Sequence, residues 1–163
     1  MRLILSEDII SGEDLRSVIE ELKDYQDFIR HGHIRQHVSK RAGSKSGPDL
    51  SRGASEMLSQ AMEHHPLNLE ELDRLVSELE AIYLKALQLK IILAAVPNGA
   101  IKRQLTAWIR QNLNGYSLID FSYNQSLLGG MVVTIGSRIF DFSLRRGLLV
   151  AQPKLNEMIA DVR

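Results

Sequence analysis

Near residue 87 the spacing of apolar residues changes from the period of a helix to the pattern of strands. Residues 67–87 place apolar side chains every three or four positions, as in an amphipathic helix. Residues 87–97 (LQLKIILAAVP) are apolar on both faces, which is typical of a central strand. Helices followed by strands are typical of an α+β protein. We therefore predict a helical region over residues 1–86 and an α+β domain over residues 87–163.

Three helices are predicted in the first region. The first covers residues 11–29, and the letters SGED at 11–14 resemble a capping box with Asp in place of Glu. A short helix over 54–65 follows. The strongest helical pattern covers 67–87, where Asn68 is expected to cap the amino end. Each apolar stripe needs a surface to pack against, inside the chain or on a partner.

The second region is predicted to be strand–helix–strand–strand–strand–helix. Gly136 and Ser137 have the size and chemistry of a two-residue hairpin turn. Pro153 predicts a break near Gln152, with a short final helix after it, because proline interrupts a helix interior. The predicted elements are a strand at 87–97, a helix at 99–113 between Asn98 and a closing Asn114-Gly115, strands at 117–123, 131–135 and 138–142, and the final helix.

Composition excludes several classes of protein. The chain has 163 residues, no cysteine, and 20 basic against 20 acidic residues. Disulfides and thiolate metal sites are therefore excluded, and no overall charge favours nucleic acid as a partner. No run of about 18 apolar residues indicates a membrane span. Acidic residues at positions 7 and 8 are unlike a targeting peptide, so we expect a cytoplasmic location.

The histidines have simple structural explanations. His31, His33 and His37 are clustered, and the last two share one helical face, but a metal needs a third ligand and a dry site. Their polar surroundings favour an exposed segment. His64 and His65 lie at a helix end, where they suit the helix dipole. We predict no metal site.

A basic stretch runs into a Gly- and Ser-rich loop at about 41–53. It could contact phosphate, yet no aromatic residues are interleaved and no groove-reading motif is present. We favour a solvated, flexible loop. The basic residues are Arg35, Lys40, Arg41 and Lys45.

The pair Gly129–Gly130 is no phosphate loop, since a strand follows and no GK[ST] is present. We expect positive φ or a close backbone approach there. Asp141 and Ser143 end a strand and open a helix, where an acid and a hydroxyl satisfy free amides. Arg145 and Arg146 oppose the helix dipole, so we expect Asp141 to pair with Arg145 and the remaining charge to suit an acidic partner.

These stretches, taken together, resemble the C-terminal domain of the F-type ATP synthase delta subunit, the family of the mitochondrial oligomycin-sensitivity-conferring subunit. The likeness covers about residues 70–150, roughly half of the chain. Departures are Asn124 and Gln125 for the usual Asp-Pro, Ser137 in the turn, Phe142 for Gly, and Pro153. The matching stretches are LKIILAAVP, NQSLLGG (124–130), MVVTIGSRIFD, and DFSLR (141–145), with Gly129, Gly130, Asp141, Ser143 and Arg145 as motif positions.

The resemblance implies a non-catalytic stator subunit without a cofactor. In the family it links the catalytic head, of alpha and beta subunits, to the b subunits of the peripheral stalk, so that proton flow drives ATP synthesis. It implies peripheral association with the cytoplasmic face of the bacterial inner membrane, through the complex. The family has a six-helix N-terminal bundle that receives helices of the alpha subunits, whereas about three helices are predicted here. That half is either a reduced bundle or has another role.

By analogy with the family, two surfaces are expected. The b subunits would meet the C-terminal domain, and the head would meet the helical region. The candidate b surface is Arg145, Arg146, Leu149, Val150, Leu155, Met158 and Ile159, and the candidate head surface is Leu15, Val18, Leu22 and Leu75. Each of these apolar residues is equally compatible with a place in the protein's own core.

Two other functions stay open on sequence grounds. The chain could be a freestanding protein- or nucleic-acid-binding module that reuses a delta-like domain, which the atypical N-terminal half favours. An enzyme is the third possibility. The strand-rich region has no histidine, so its acid–base groups would be Asp120, Asp141 and the late acids.

Overall fold

The computed structural model describes residues 3–36, 48–62 and 68–160, with the backbone alone for 32–36 and 155–160. The predicted α+β architecture is confirmed, with helices first and a four-stranded sheet after them. The elements in chain order are α1 (Gly12–Gln36), α2 (Arg52–Met62), α3 (Leu69–Lys85), β1 (Gln88–Leu93), α4 (Gly99–Asn112), β2 (Leu118–Tyr123), a 3-10 turn (Gln125–Leu127), β3 (Met131–Ile135), β4 (Arg138–Asp141) and α5 (Leu144–Ala160).

The predicted helix caps are confirmed at three amino ends. In the α1 capping box, the Asp14 amide donates to Ser11 Oγ (3.1 Å) and the Ser11 amide donates to the Asp14 carboxylate (2.8 Å). Asn68 accepts from the backbone of α3 (2.7 Å) and Asn98 from that of α4 (2.8 Å). Hydrogen bonds that the sequence makes available locally therefore fix where these helices begin.

Several boundaries differ from the prediction, and strand β1, predicted over 87–97, ends at Leu93. Helix α1 continues past residue 29 to Gln36, since a single Gly32 costs a helix about 1 kcal/mol and does not stop it. The loop predicted at 41–53 ends at Ser51, which caps α2 by accepting from the Ala54 amide (3.2 Å). Residues 41–47 lie outside the described ranges, so the order of that part of the loop stays a prediction.

The carboxyl end of α4 also differs. Gly115 does not take the left-handed conformation of a helix-closing glycine, and Leu113 ends the helix in the right-handed region. Asn114 instead accepts a hydrogen bond from the Tyr116 amide (2.9 Å) through its side chain. This side-chain turn directs the chain into β2.

Strand β1 is central, as predicted. The sheet order is β2-β1-β3-β4, with β1 parallel to β2 and antiparallel to β3, while β3 and β4 form a hairpin about Gly136 and Ser137. Gly136 has a φ of +56°, which this tight turn uses. Strands β2 and β4 are therefore the two edges of the sheet.

Two clusters of buried apolar side chains hold the protein together. The larger one joins the three N-terminal helices and the segment before α1, and it includes Leu118 at the start of β2. The smaller one lies between the sheet and α4, and its fully buried members are Leu89, Ile91, Ile109 and Ile119. Alternation along β1 places Leu89 and Ile91 on the face toward α4, while Lys90 on the opposite face is exposed.

The predicted break in the last helix is wrong. Helix α5 continues through Pro153, which stands inside it. Proline removes one helical hydrogen bond, the one to the carbonyl of residue 149. The flanking residues of α5 are exposed, so water can satisfy that carbonyl and the helix need not end there. Within the described ranges, no helix is both long and apolar enough to span a bilayer.

Helix α3 provides a direct test of the core. Leu72 is fully buried and Leu84 is 82% exposed on the same helix. We expect Leu72→Ala to lower the free energy of unfolding by about 2–5 kcal/mol through lost burial and a cavity, measured by urea denaturation. Leu84→Ala is the matched control and should change it by less than about 0.5 kcal/mol. Equal effects of the two substitutions would contradict the described packing of α3.

Candidate functional site

The glycine pair before β3 forms a seat for the start of α5. Gly130 has a φ of +77°, and a Cβ there would collide with the backbone carbonyl of Phe142. A Cβ on Gly129 would lie 2.5 Å from the Leu144 side chain. The Leu144 amide donates to the Gly129 carbonyl (3.0 Å). Two residues without side chains therefore allow the β4–α5 junction to lie directly on this backbone.

A side-chain turn connects β4 to α5. The Ser143 amide donates to Asp141 Oδ1 (2.9 Å), and Ser143 Oγ caps α5 by accepting from the Arg146 amide (3.3 Å). The Ser143 hydroxyl and amide lower the pKa of Asp141, and the charges of Arg146 and Arg145 act in the same direction. The Asp141 carboxylate is thus held as an anion in a structural turn.

The predicted pairing of Asp141 with Arg145 is wrong for the described structure, in which no ion pair joins the two. Arg146 donates instead to the backbone carbonyl of Asp141 (3.2 Å). Asp141 is engaged within the turn, since the Ser143 amide occupies one carboxylate oxygen and Arg146 binds the carbonyl. Both arginine side chains are exposed at the amino end of α5.

Helix α5 exposes consecutive apolar side chains that point in different directions around its axis. Its main packing partner in the described chain is the 3-10 turn Gln125–Leu127. Leu148, Leu149 and Val150 are consecutive, so successive residues point about 100° apart, and they are 55%, 59% and 73% exposed. No single face of its own domain could cover all three, and contiguous exposed apolar side chains typically mark an interaction surface.

The candidate b surface therefore falls on this helix in full. Arg145, Arg146, Leu149 and Val150 are exposed, as a docking surface requires. Three further members lie in the backbone of α5, and their side chains are outside the description. These are Leu155, Met158 and Ile159.

The sequence reasoning missed several exposed apolar residues beside this helix. No expectation of exposure was attached to the apolar residues of β4, which is an edge strand of the sheet. The run Leu148-Leu149-Val150 was the available signal for α5, since three consecutive apolar residues do not fit one helical face. The missed residues are Ile139, Phe140, Phe142, Leu144 and Leu148.

The four residues of the candidate head surface are buried inside the protein. Leu15, Val18, Leu22 and Leu75 are all less than 5% exposed and belong to the larger core cluster. An amphipathic stripe indicates which side of a helix is apolar, but it does not indicate what covers that side. Here α1 and α3 cover each other.

The chemistry expected of an enzyme is not assembled around the two candidate carboxylates. Asp120 is exposed on β2, and Asp141 is engaged in its turn. A groove of about 620 Å³ between the N-terminal segment and the end of α4 is lined by Leu3, Leu5, Arg110, Tyr116 and their neighbours, and by neither carboxylate. These two residues therefore have structural or solvent-facing positions.

Metal ligands are not gathered in the described ranges, where no three His, Cys, Asp or Glu residues could hold one ion. His31 is exposed and its Nδ1 contacts the Asp27 carbonyl at 2.7 Å. His33 lies in the backbone of α1. The other residues of the histidine and basic predictions fall outside the described residues or side chains, namely His37, His64, His65, Arg35, Lys40, Arg41 and Lys45.

Comparison with known proteins connects this arrangement to a family. A family model described as ATP synthase delta (OSCP) subunit matches residues 11–155, which include the three N-terminal helices as well as the sheet. An ATP synthase subunit delta from Methylobacterium nodulans is 36% identical over 61 residues. That alignment covers 37% of this chain and 32% of the relative, so it spans about a third of the relative's length.

The close backbone approach at the glycine pair predicts that Gly130 does not tolerate a side chain. We expect Gly130→Ala to lower the free energy of unfolding by more than about 1–2 kcal/mol, because alanine is strained at positive φ and its Cβ meets a backbone carbonyl. Gly115→Ala is the control, since a Cβ there meets nothing within 4 Å. Urea denaturation measures both. A Gly130→Ala protein as stable as the control would contradict the described junction.

The lowered pKa of Asp141 predicts a pH dependence. Its folded-state pKa lies below the ordinary 3.8, so its stabilising effect is complete above about pH 4. The effect is lost as the pH falls through the folded-state pKa. We expect Asp141→Asn, which keeps the acceptor oxygen, to be less stable than wild type at neutral pH and to approach it in acid.

Urea denaturation of both proteins between about pH 7 and pH 3 measures this difference. A difference that stays constant over that range would contradict a role for the charge.

Proposed function

The chain belongs to the ATP synthase delta (OSCP) subunit family, and on that premise we propose that it is the stator subunit that joins the catalytic head to the peripheral stalk. Such a subunit resists the torque of the rotor, so that proton flow drives ATP synthesis. The task requires durable interfaces at two ends of one protein. It requires no reactive group, and we propose a non-catalytic role.

The observation that carries this proposal is the exposure of α5. A helix with exposed apolar side chains in several directions, and few described contacts to its own domain, has a surface suited to packing against partner helices. We propose that it packs against the b subunits of the peripheral stalk. Arg145, Leu149 and Val150 are exposed at the start of this surface, and Leu155, Met158 and Ile159 extend it along the helix.

The charge of the C-terminal region supports an acidic partner. The chain as a whole is neutral, but its charges are unevenly distributed. The described sheet and its helices are basic, and the N-terminal helices are acidic. Basic patches attract acidic ones and raise the rate of encounter. In residues 87–154 the basic residues are Lys90, Lys102, Arg103, Arg110, Arg138, Arg145, Arg146 and Lys154, and the acidic ones are Asp120 and Asp141.

We propose that the alpha and beta subunits of the head contact the outer surface of the three N-terminal helices. Leu15, Val18, Leu22 and Leu75 are buried, so they hold the helices together and do not touch the head themselves. Leu84 on α3 is 82% exposed and is a candidate for direct contact. Through this complex the protein would lie peripherally at the cytoplasmic face of the bacterial inner membrane.

The test is recovery of partners with the tagged protein from gently solubilised membranes of its source. We expect wild type to recover alpha, beta and b subunits. Leu149→Asp should reduce recovery of b by at least about tenfold, equivalent to about 1.4 kcal/mol, because a charge replaces an interfacial apolar side chain. Alpha and beta should still be recovered with this variant.

Ile101→Asp is the matched control, since Ile101 is a 48% exposed apolar residue on α4, away from α5. It should recover all three subunits. Unchanged recovery of b with Leu149→Asp would overturn the α5 surface. Wild type that recovers no synthase subunit from intact complexes would overturn the stator role.

A further inference from the structure

The turn Ser6–Ile9, before α1, is anchored in the helical region. The Ile9 amide donates to the Ser6 carbonyl (3.2 Å), which closes the turn. Ser6 Oγ donates to Glu56 of α2 (2.5 Å), and Ile9 is 1% exposed in the larger core cluster. The turn therefore moves with the three N-terminal helices.

One arginine from α4 donates hydrogen bonds to this turn. Arg110 Nη1 donates to the Ser6 carbonyl (3.0 Å), and Nη2 donates to the Ile9 carbonyl. Its Nε donates to the carbonyl of Ser117, which directly precedes β2 (3.3 Å). The guanidinium thus spans from the helical region to the sheet, and all three of its acceptors are backbone carbonyls.

The turn is followed by a second connection at the edge of the sheet. The Ile119 amide of β2 donates to the Ile10 carbonyl (2.8 Å). Leu118, the neighbour of Ile119, is 2% exposed and packs in the core of the helical region. The start of β2 is therefore shared between the two regions.

The two regions differ in how well they could stand alone. Among the described residues, the cluster between the sheet and α4 has four buried apolar residues, whereas the cluster of the helical region has sixteen, which include Leu118 of β2. Buried apolar area is the main source of folding stability. The sheet region therefore has more to lose when its connection to the helical region is cut.

We propose that Arg110 is a positioning residue that joins the helical region and the sheet region into one cooperative folding unit, with the turn Ser6–Ile9 as the joint. The guanidinium fixes two carbonyls of the turn and one of the sheet at the same time. Removing it leaves three carbonyls without this donor and weakens the connection, which then rests on the bond between Ile119 and Ile10 and the packing of Leu118. The inference concerns the isolated protein and holds whether or not the protein acts as a stator.

A purely local role for Arg110 is the alternative. A cation in the last turn of α4 suits the helix dipole, and in that case its loss would weaken the whole protein evenly. The two explanations differ in whether the sheet loses protection selectively. That selectivity is measurable by hydrogen exchange followed by mass spectrometry at increasing, sub-denaturing urea concentrations.

In the wild-type full chain, we expect the slowest amides of α3 and of β1 and β3 to exchange through one common opening. In Arg110→Met, which keeps the aliphatic stem, protection of β1 and β3 should fall by at least about tenfold more than that of α3. Arg103→Met is the control, since Arg103 lies on the same helix and its contact with the turn is one exposed 3.9 Å ion pair to Asp8. It should keep the common opening.

Separate openings in the wild type would overturn the proposal, as would equal loss of protection in both regions of Arg110→Met. Should Arg110→Met fail to fold, Arg110→Lys provides the test, because one ammonium group cannot reproduce the planar fork of donors. Arg110→Lys should show the same selective loss in β1 and β3 to a smaller degree. An even loss in this variant would overturn the proposal.

Discussion

The C-terminal half of the protein depends on the pairing of β1 on both of its edges. Leu89 and Ile91 of this strand are nearly inaccessible, and its neighbours run parallel on one side and antiparallel on the other. A parallel neighbour requires a crossover, which α4 supplies, and an antiparallel neighbour permits the tight hairpin that follows. The positions of α4, the glycine seat and the start of α5 all follow from this arrangement.

The sequence is sufficient for the local parts of this fold. The capping residues Asn68 and Asn98, the turn at Gly136 and the change of period near residue 87 act within a few residues of themselves, so their patterns are readable. The family resemblance placed the glycine pair and the β4–α5 junction. The features that the sequence could not predict are contacts between residues far apart in the chain. Arg110 donates to backbone carbonyls about a hundred residues away in the chain. Every residue has a backbone carbonyl, so no sequence pattern indicates which ones Arg110 binds.

The two predicted surfaces show that an apolar helical pattern does not determine whether its side chains are buried. Leu15 and Leu149 both belong to apolar helical patterns, yet one is fully buried and the other is 59% exposed. The difference arises because α1 faces α3, whereas α5 begins beside the edge strand β4 and has the 3-10 turn as its main packing partner among the described residues. Pro153 is tolerated for the same reason, since a solvated helix can lose one hydrogen bond without leaving a buried carbonyl unsatisfied.

The exposed edge of β4 has a consequence for the supply of the protein in the cell. Its outer backbone groups face away from the sheet, and Ile139 beside them is 69% exposed. An exposed apolar edge is a template for another strand, so copies of the protein can add to one another through β4. Synthesis in excess would therefore yield aggregates or material for proteases.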